Sequence, residues 1–269
     1  MLDSLLTGHK YPDEIILVDG GSTDKTDEII YSYTNKGHPI KLIYKDGINI
    51  AEGRNIAIDA AKYDIIASID AGCKAHSDWL QSFHEIFDKD KTVDVVAGFY
   101  LPDPKSEYED VIGNLLYPRL DIIDPNKFLP SSRSVAFKKR CWQEIDGYPE
   151  YLYTGEDTLF DIKLKSAGCK FAFSENAIVY WRPRSNLFKL FKQYYLYAKG
   201  ATQAGVLNTI AFEAFGQNVF SYLIPIILDY GLYLFRKQKI KQLMYIPLIL
   251  FVILFAKLLG IIIGKLSIK

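Results

Sequence analysis

Short apolar runs that end in an acid alternate with helical patterns through the first hundred residues. The runs EIILVD (14–19) and DIIASID (64–70) have the length and composition of buried strands. Helical patterns follow them, one reaching about residue 33 and one over 77–88. Strands that alternate with helices favour a mostly parallel sheet covered on both faces, so the sequence predicts an α/β domain.

The same reasoning extends the pattern to about residue 206. A helix near 108–117 lies in a proline-rich connection over 102–130, and a later helix follows an acidic turn at 155–157 and ends at Ala167. Further strands are predicted over 40–45, 92–100, 131–138, 170–174 and 177–181, and further helices over 51–62, 139–145 and 188–206.

Two aspartates, Asp19 and Asp70, stand at the carboxyl ends of predicted strands. Open α/β sheets bind ligands at that edge, and two acids at equivalent positions favour a site there. The alternative is that each aspartate only caps the turn that follows it. The turn after Asp19 is not a nucleotide-binding P-loop, because Asp24 occupies the place of the glycine before Lys25-Thr26.

The charge is divided unevenly along the chain. Twelve Lys/Arg and two acids follow Glu175, so the back of the chain carries +10 and the first 175 residues carry −10. The basic residues of 188–206 alternate with Phe, Leu and Tyr and lead into apolar segments. This arrangement predicts a membrane-facing tail and disfavours nucleic acid as a partner.

Two apolar segments close the chain. Residues 243–264 have about the length that a bilayer requires and predict a transmembrane helix, because few polar positions remain for the solvent face of a soluble helix. Residues 217–235 contain Pro225 and Asp229 and are predicted to be interfacial or re-entrant. If both crossed, the basic loop 236–241 would lie outside, against the positive-inside tendency. We therefore expect a domain over 1–206 and membrane-associated helices over 207–269.

Cys73, Cys141 and Cys169 are odd in number and widely spaced. This spacing offers neither a disulfide framework nor a CxxC zinc pattern. Reduced thiols in a cytosolic domain are the expected state.

Several segments in a fixed order resemble family 2 glycosyltransferases with the GT-A (Rossmann-like) fold. The resemblance covers most of residues 11–206. Its segments are VDGGSTDKT (18–26), GRNIAI (53–58), SIDAGCKAHSDWL (68–80), the run from Pro130 to Gly168, and QYYLYAKG (193–200), a diverged form of a family motif.

The resemblance assigns a role to each matching position. It implies that Asp157 is the catalytic base with Glu156 beside it, and that Asp70 belongs to the metal and diphosphate site with Mg²⁺ or Mn²⁺. It places the donor nucleotide near Asp19, Gly21, Ser22 and Arg54, and we expect the acceptor near Ser132, Arg133, Gln193, Tyr197 and Lys199.

The residues themselves leave a second interpretation of Asp157 open. Displacing a nucleoside diphosphate requires a proton acceptor for the incoming hydroxyl and positive charge at the departing diphosphate, and a carboxylate and a divalent cation supply them. However, Thr154 followed three residues later by Asp157 also fits a capping box. An acid in the first turn stabilises a helix without any catalysis.

The sequence departs from the family at three places. Asp70 stands alone where two acids are usual, Leu196 replaces an arginine, and the strand that normally precedes residues 2–11 is absent. If this is the true start, Ile15 to Val18 lacks a neighbouring strand and nucleotide affinity falls.

Three functions remain after these comparisons of motifs. The first is an inverting, hexosyltransferase-type enzyme that moves a sugar from a nucleotide-sugar donor to a lipid-linked or glycan acceptor in polysaccharide biosynthesis. It would lie at the cell membrane with its catalytic domain on the cytoplasmic side. The alternatives are a non-catalytic membrane-bound subunit and a soluble nucleotidyltransferase.

Overall fold

The fold is organised around a five-stranded sheet. The computed structural model describes residues 1–206, 219–237 and 239–268. The strands lie in the order β3–β6–β5–β7–β4. Their bounds are β3 Ile65–Ser68, β4 Cys73–Ala75, β5 Val95–Pro102, β6 Val135–Lys138 and β7 Phe171–Trp181.

The sheet is mixed, and the expectation of a mostly parallel sheet is wrong. β6 runs antiparallel to both β3 and β5, and β4 runs antiparallel to β7, whereas β5 and β7 are parallel. After β5 the chain makes a long connection and then returns in the opposite direction as β6. A parallel pair would instead require a crossover that brings the chain back to the same end of the sheet.

Two predicted strands are in fact one. The segments predicted over 170–174 and 177–181 form the continuous strand β7, and its register with β5 shifts between Ala97 and Phe99. The short strand β4 lies within a segment that the sequence interpretation left without structure. Both errors arise at polar or irregular positions, where alternation of apolar residues is a weak signal.

A separate parallel pair precedes this sheet. β1 (Ile15–Asp19) and β2 (Ile40–Tyr44) pair with each other, joined by helix α2 (Thr26–Thr34). Within residues 1–206, the other edge of β1 and the outer edge of β3 have no strand partner. Ile65, on β3, remains 42% exposed, although Val135, Ala136 and Phe137 of the neighbouring strand β6 are buried.

Helices cover the five-stranded sheet and build two cores. On one face, Tyr148 stacks on Phe160 of α7 with ring centroids 3.9 Å apart, beside Phe137 of β6. On the other face, Trp79 and Phe83 of α4 pack against β7. The helices are α1 Leu2–Leu6, α3 Ile50–Asp59, α4 Trp79–Lys89, α5 Glu107–Leu116, α6 Lys139–Glu144 and α7 Glu156–Ser166, with a 3-10 turn at Leu120–Ile122.

Within residues 182–206, 219–237 and 239–268, four helices follow β7. Helix α8 (Leu187–Gln203) and helix α11 (Tyr245–Leu266) lie along each other. By length and composition, the segment Lys241–Leu266 could cross a membrane. Helices α9 (Val219–Arg236) and α10 (Ile240–Leu243) precede α11, and residues 217–218 of the predicted interfacial segment lie outside the described residues.

Candidate active site

A cleft of about 1900 Å³ opens at the edge of the sheet where β1 and β3 end. Its walls come from β1, β3, the loop before β6, the start of α7 and one side of α8. Acidic, basic and aromatic side chains converge in it, namely Arg54, Asp70, Arg133, Glu156, Asp157, Trp181 and Arg184. The predicted position of the site, at the end of the strands, is therefore where the structure places the cleft.

The turn before α7 holds its shape through a glycine and a hydroxyl. Gly155 has φ +82°, a left-handed backbone conformation that favours glycine, and its Cα side faces Gly200 of α8. The Thr154 hydroxyl donates to the carbonyl of Leu196 at 2.6 Å. Helix α7 has no side-chain cap, so the capping-box interpretation of Thr154 and Asp157 is wrong.

The carboxylate of Asp157 lines the cleft at the start of α7. Its Oδ1 accepts a hydrogen bond from the backbone N–H of Thr158 at 2.8 Å, and its Oδ2 accepts from the hydroxyl of Ser131 at 3.3 Å. The Ser131 hydroxyl in turn accepts from the guanidinium of Arg133 at 2.5 Å. These contacts fix the carboxylate and leave Oδ2 with capacity to accept a proton from a hydroxyl in the cleft.

The guanidinium of Arg54 bridges two carboxylates, that of Asp70 just after β3 and that of Glu156 at the start of α7. Its Nη1 donates to Glu156 Oε1 and its Nη2 donates to Asp70 Oδ1, both at 2.7 Å. Its guanidinium also lies 5.4 Å from the ring centroid of Tyr148. Burial opposes the charge of Arg54, but the neighbouring acids outweigh it and raise its pKa, so the side chain stays a cation.

Burial and the adjacent Asp157 carboxylate raise the pKa of Glu156, while Arg54 lowers it in part. The Glu156 side chain is only 8% exposed, so its ionised form depends on Arg54. Glu156 therefore holds Arg54 in place through an ion pair, and both Glu156 and Asp157 line the cleft.

Asp161 lies one turn further along α7, and burial followed by the Asp157 charge raises its pKa well above the usual range. A group whose pKa is raised in the folded state contributes stability. This contribution is fully present below the unfolded pKa of about 3.9 and is lost as the pH rises through the folded pKa. We therefore expect the melting temperature of Asp161→Asn, relative to that of wild type, to increase as the pH is raised from 4 to 8. Glu28→Gln, at an exposed acid, is the control; a difference that stays constant across pH contradicts the prediction.

Asp19 organises the turn after β1. It is 5% exposed, and its Oδ1 accepts from the N–H groups of Gly21 at 2.9 Å and Ser22 at 2.7 Å. Burial opposes its ionisation, yet these hydrogen bonds lower its pKa. Gly21 has φ +106°, and a Cβ there would lie 2.1 Å from Asp46 Oδ1, so the turn requires glycine. The local capping role of Asp19 is therefore real.

The residues predicted for the acceptor separate into two groups. Arg133, Gln193 and Tyr197 line the cleft, where the Tyr197 hydroxyl accepts from Arg133 Nη2 and Gln193 Nε2, both at 3.0 Å. Ser132 is 2% exposed, bonded to the Tyr148 hydroxyl at 2.9 Å, and Lys199 does not line the cleft. Ser131, the neighbour of Ser132, is the serine that reaches the Asp157 carboxylate.

Trp181 and Arg184 belong to the site, although sequence reasoning did not select them. The guanidinium of Arg133 lies 3.9 Å from the Trp181 ring centroid, and that of Arg184 lies 5.3 Å from it. Arg184 Nε also donates to Gln193 Oε1 at 2.9 Å. The available signal was the WRPR segment at the end of the last strand, since arginines beside an aromatic residue favour cation–π stacking.

A possible metal-binding group lies elsewhere. Asp94, Cys141 and Cys169 bring their ligand atoms within 4.8 Å of one another at the start of β5. The Asp94 carboxylate is already paired with Lys138 and Arg140, and burial raises the pKa of Cys169 to about 12. This group does not line the cleft. The three cysteines are free thiols, as expected from their spacing.

Comparisons with known proteins agree with this geometry. Residues 1–133 match glycosyl transferase family 2. A mannosyltransferase from Pyrobaculum calidifontis, solved with GDP-Man and Mn²⁺, superposes over 100% of this chain and 82% of its own, with a TM-score of 0.66 at 16% identity. The structural likeness supports a GT-A-like α/β fold, and the family match covers residues 1–133. Staphylococcus aureus TarS 1–349 with UDP-GlcNAc has a TM-score of 0.59 at 17% identity and covers 86% of this chain and 75% of its own.

Curated relatives are glycosyltransferases of several kinds. The chain is 23% identical to AglE of Haloferax volcanii, over 77% of this chain and 69% of AglE. It is 26% identical to the O-antigen chain rhamnosyltransferase RfbN of Salmonella typhimurium, over 66% of this chain and 60% of RfbN. It is 25% identical to chondroitin synthase of Escherichia coli, over 63% of this chain but only 30% of that enzyme.

Proposed function

We propose that the chain is an inverting glycosyltransferase that moves a sugar from a nucleotide-sugar donor to a hydroxyl of a lipid-linked or glycan acceptor. The observation that carries this proposal is the Asp157 carboxylate in the cleft, next to the Arg54–Asp70 pair. The P. calidifontis and TarS neighbours hold GDP-Man and UDP-GlcNAc, which supports a nucleotide sugar as the donor.

In the proposed reaction Asp157 is the general base. Its Oδ2 takes the proton of the acceptor hydroxyl while that oxygen forms a bond to the anomeric carbon of the donor sugar. The bond from that carbon to the diphosphate oxygen breaks, and the nucleoside diphosphate leaves with the electron pair. Attack from the face opposite the leaving group inverts the anomeric centre.

The leaving diphosphate requires positive charge. Arg133 Nε is buried without a hydrogen-bond partner among the described residues and lies 3.6 Å from Asp70 Oδ2, so this end of the cleft retains a donor directed at an anion. Asp70 Oδ1 is held by Arg54, and Oδ2 accepts no hydrogen bond from the described residues. This oxygen contacts Arg133 only through the longer ion pair, so it would be the atom of Asp70 that holds Mg²⁺ or Mn²⁺, ions that favour oxygen ligands.

Asp70 would therefore hold the cation, which neutralises charge on the diphosphate when bound. We expect EDTA to lower transfer at least about 10-fold and added Mn²⁺ or Mg²⁺ to restore it. Asp70→Asn should show little restoration by either metal. Full transfer after chelation and dialysis would contradict the metal assignment and leave Arg54 and Arg133 as the source of positive charge.

The nucleotide would lie along the ends of β1 and β3. Asp19 shapes the turn there, and its Oδ2 is buried without a hydrogen-bond partner among the described residues, although Asp27 lies close enough to share a proton with it. The backbone of Gly20 lines the cleft beside it. We propose that the Asp19–Ser22 turn contacts the nucleotide and that Arg133, Gln193 and Tyr197 face the acceptor.

We propose further that the enzyme works at the cell membrane, with its catalytic domain on the cytoplasmic side. The apolar segment Lys241–Leu266 and the basic residues around it support attachment to a lipid surface. The relation to RfbN, an O-antigen chain rhamnosyltransferase, supports an acceptor in polysaccharide biosynthesis.

One observation favours a non-catalytic subunit as the second candidate. Within residues 1–206, β1 pairs with β2 alone, and no strand joins β1 to β3. A screen of UDP- and GDP-sugars, with membrane extract as acceptor and released nucleotide as readout, distinguishes the two functions. Sugar-dependent release supports the enzyme. Failure of UDP and GDP to shift the melting temperature, together with no release, supports the non-catalytic subunit.

A further inference from the structure

Helix α11 has two apolar faces, and the described residues of the protein cover only one of them. Every third or fourth residue faces α5, α8 and α9, beginning with Ile246 and Ile249 and ending with Gly264. The opposite face is 46–72% exposed along its length and consists of Phe251, Leu254, Phe255, Leu258, Ile262 and Leu266. An exposed apolar stripe of this length marks an interaction surface.

The orientation of α11 follows from its contact with α8. The ring of Phe255 lies 6.0 Å from that of Phe191, and the Cα side of Gly264 meets Thr202. Gly260 lies between them, where a Cβ would approach the carbonyl of Tyr195 to 2.3 Å. The two helices therefore run side by side in the same direction, and α8 shares any membrane depth that α11 adopts.

Two lysines of α8 decide between crossing a bilayer and lying on it. Lys189 and Lys192 are exposed and flank Phe191, which is level with Phe255 near the middle of α11. If α11 crossed the bilayer, both ammonium groups would lie near the hydrocarbon centre, where charge is costly. If α11 lies in the plane of the surface, the same lysines reach the headgroups.

We propose that the outer face of α11 lies flat in the interface of an anionic bilayer and does not span it. The charges around this face fit anionic headgroups, since Asp229 is the only acid within residues 187–206, 219–237 and 239–268. The exposed basic residues around α11 are Lys189, Lys192, Arg236, Lys237, Lys239, Lys241 and Lys265. This inference rests on the membrane attachment in the proposed function and not on sugar transfer.

A flat α11 also fixes the distance between the membrane and Asp157. The catalytic turn packs through Gly155 on Gly200 of α8, and α8 packs on α11. Two helix layers at about 8–10 Å each place Asp157 on the order of 20 Å above the acyl chains. Lys257 and Ile261 of α11 line the same cleft, so an acceptor anchored in lipid could enter it along α11.

Depth-dependent fluorescence quenching tests this orientation. Single cysteines at three exposed positions, Leu248→Cys, Phe255→Cys and Ile262→Cys, are placed in a Cys169→Ser chain, labelled with NBD and bound to phosphatidylcholine vesicles with about 30% phosphatidylglycerol. A flat helix gives equal shallow depths within a few ångströms. A spanning helix places residue 255 deepest, about 10 Å below the other two, and overturns the proposal.

A second measurement identifies the surface itself. The triple variant Leu254→Gln/Leu258→Gln/Ile262→Gln should bind these vesicles at least 10-fold more weakly than wild type, because it removes the apolar stripe. Ile29→Gln/Tyr31→Gln, at exposed apolar residues of α2, is the matched control and should bind normally. Equal binding of the triple variant and wild type, or no binding of wild type, overturns the proposal whether or not transfer occurs.

Discussion

Asp157→Asn should lower sugar transfer about 100- to 10,000-fold while the protein stays folded. Asparagine retains an oxygen for the N–H of Thr158, and its amide NH2 donates to the Ser131 hydroxyl oxygen where the carboxylate had accepted from it, so the turn before α7 stays bonded. It cannot accept the proton of the acceptor hydroxyl. We therefore expect kcat to fall and the dissociation constant for UDP or GDP to stay within about 3-fold of wild type.

The matched control lies on the same helix. Asp161→Asn makes the same change one turn further on, at a buried side chain that does not line the cleft, and should leave transfer near wild type. Single-turnover assays on both variants separate chemistry from product release. Substantial turnover by Asp157→Asn, or equal losses in the two variants, would refute the assignment of the base.

Arg54→Met should destabilise the fold by about 3–5 kcal/mol, because it leaves two acids without their counterion. Arg54 is 13% exposed and its partners Asp70 and Glu156 are 24% and 8% exposed, so water replaces little of the lost interaction. Methionine fills a similar volume, which limits the contribution of a cavity. Urea unfolding with the transition midpoint as readout measures the loss.

The loss should depend on pH with a defined sign. Without Arg54 the folded pKa of Glu156 rises further above its unfolded value of about 4.3, so the variant is most stable at low pH and loses stability as pH increases. The deficit against wild type should be larger at pH 8 than at pH 5. Lys91→Met removes an exposed pair with Asp88 and should change the stability little. If Arg54→Met loses as little stability as Lys91→Met, Arg54 is not the counterion that stabilises Asp70 and Glu156.

The sequence predicted the position of the cleft better than the topology. Asp70 stands at the end of a predicted strand, where α/β sheets bind ligands, whereas Arg54 and Asp157 were selected by the resemblance to family 2 glycosyltransferases; all three line the cleft. The direction of β6 could not be predicted, because the proline-rich connection of 102–130 carries no periodicity from which the return path of the chain can be inferred.

Adjacent polar residues were the second source of error. Ser131 and Ser132 are equivalent in sequence, yet one bonds to Asp157 and the other is buried against Tyr148. Thr154 fitted a capping box, but its hydroxyl bonds to Leu196, a contact with a helix 42 residues away along the chain. Tertiary packing decided these cases, and local pattern does not contain it.

The prediction for the apolar segment 243–264 also rests on local sequence, which contains no tertiary contacts. Its length and composition predict a bilayer span, and they say nothing of the lysines on a neighbouring helix. The contact of α11 with α8 brings Lys189 and Lys192 level with its middle, which is why we place it in the interface.

The stereochemistry of the transferred sugar tests most directly whether one carboxylate base acts in a single displacement. Once a donor is found, proton NMR of the first-formed product reports its anomeric configuration through the coupling constant of the anomeric proton. The account predicts a configuration opposite to that of the donor. A product that retains the donor's configuration would require a second nucleophile and would contradict the role given to Asp157.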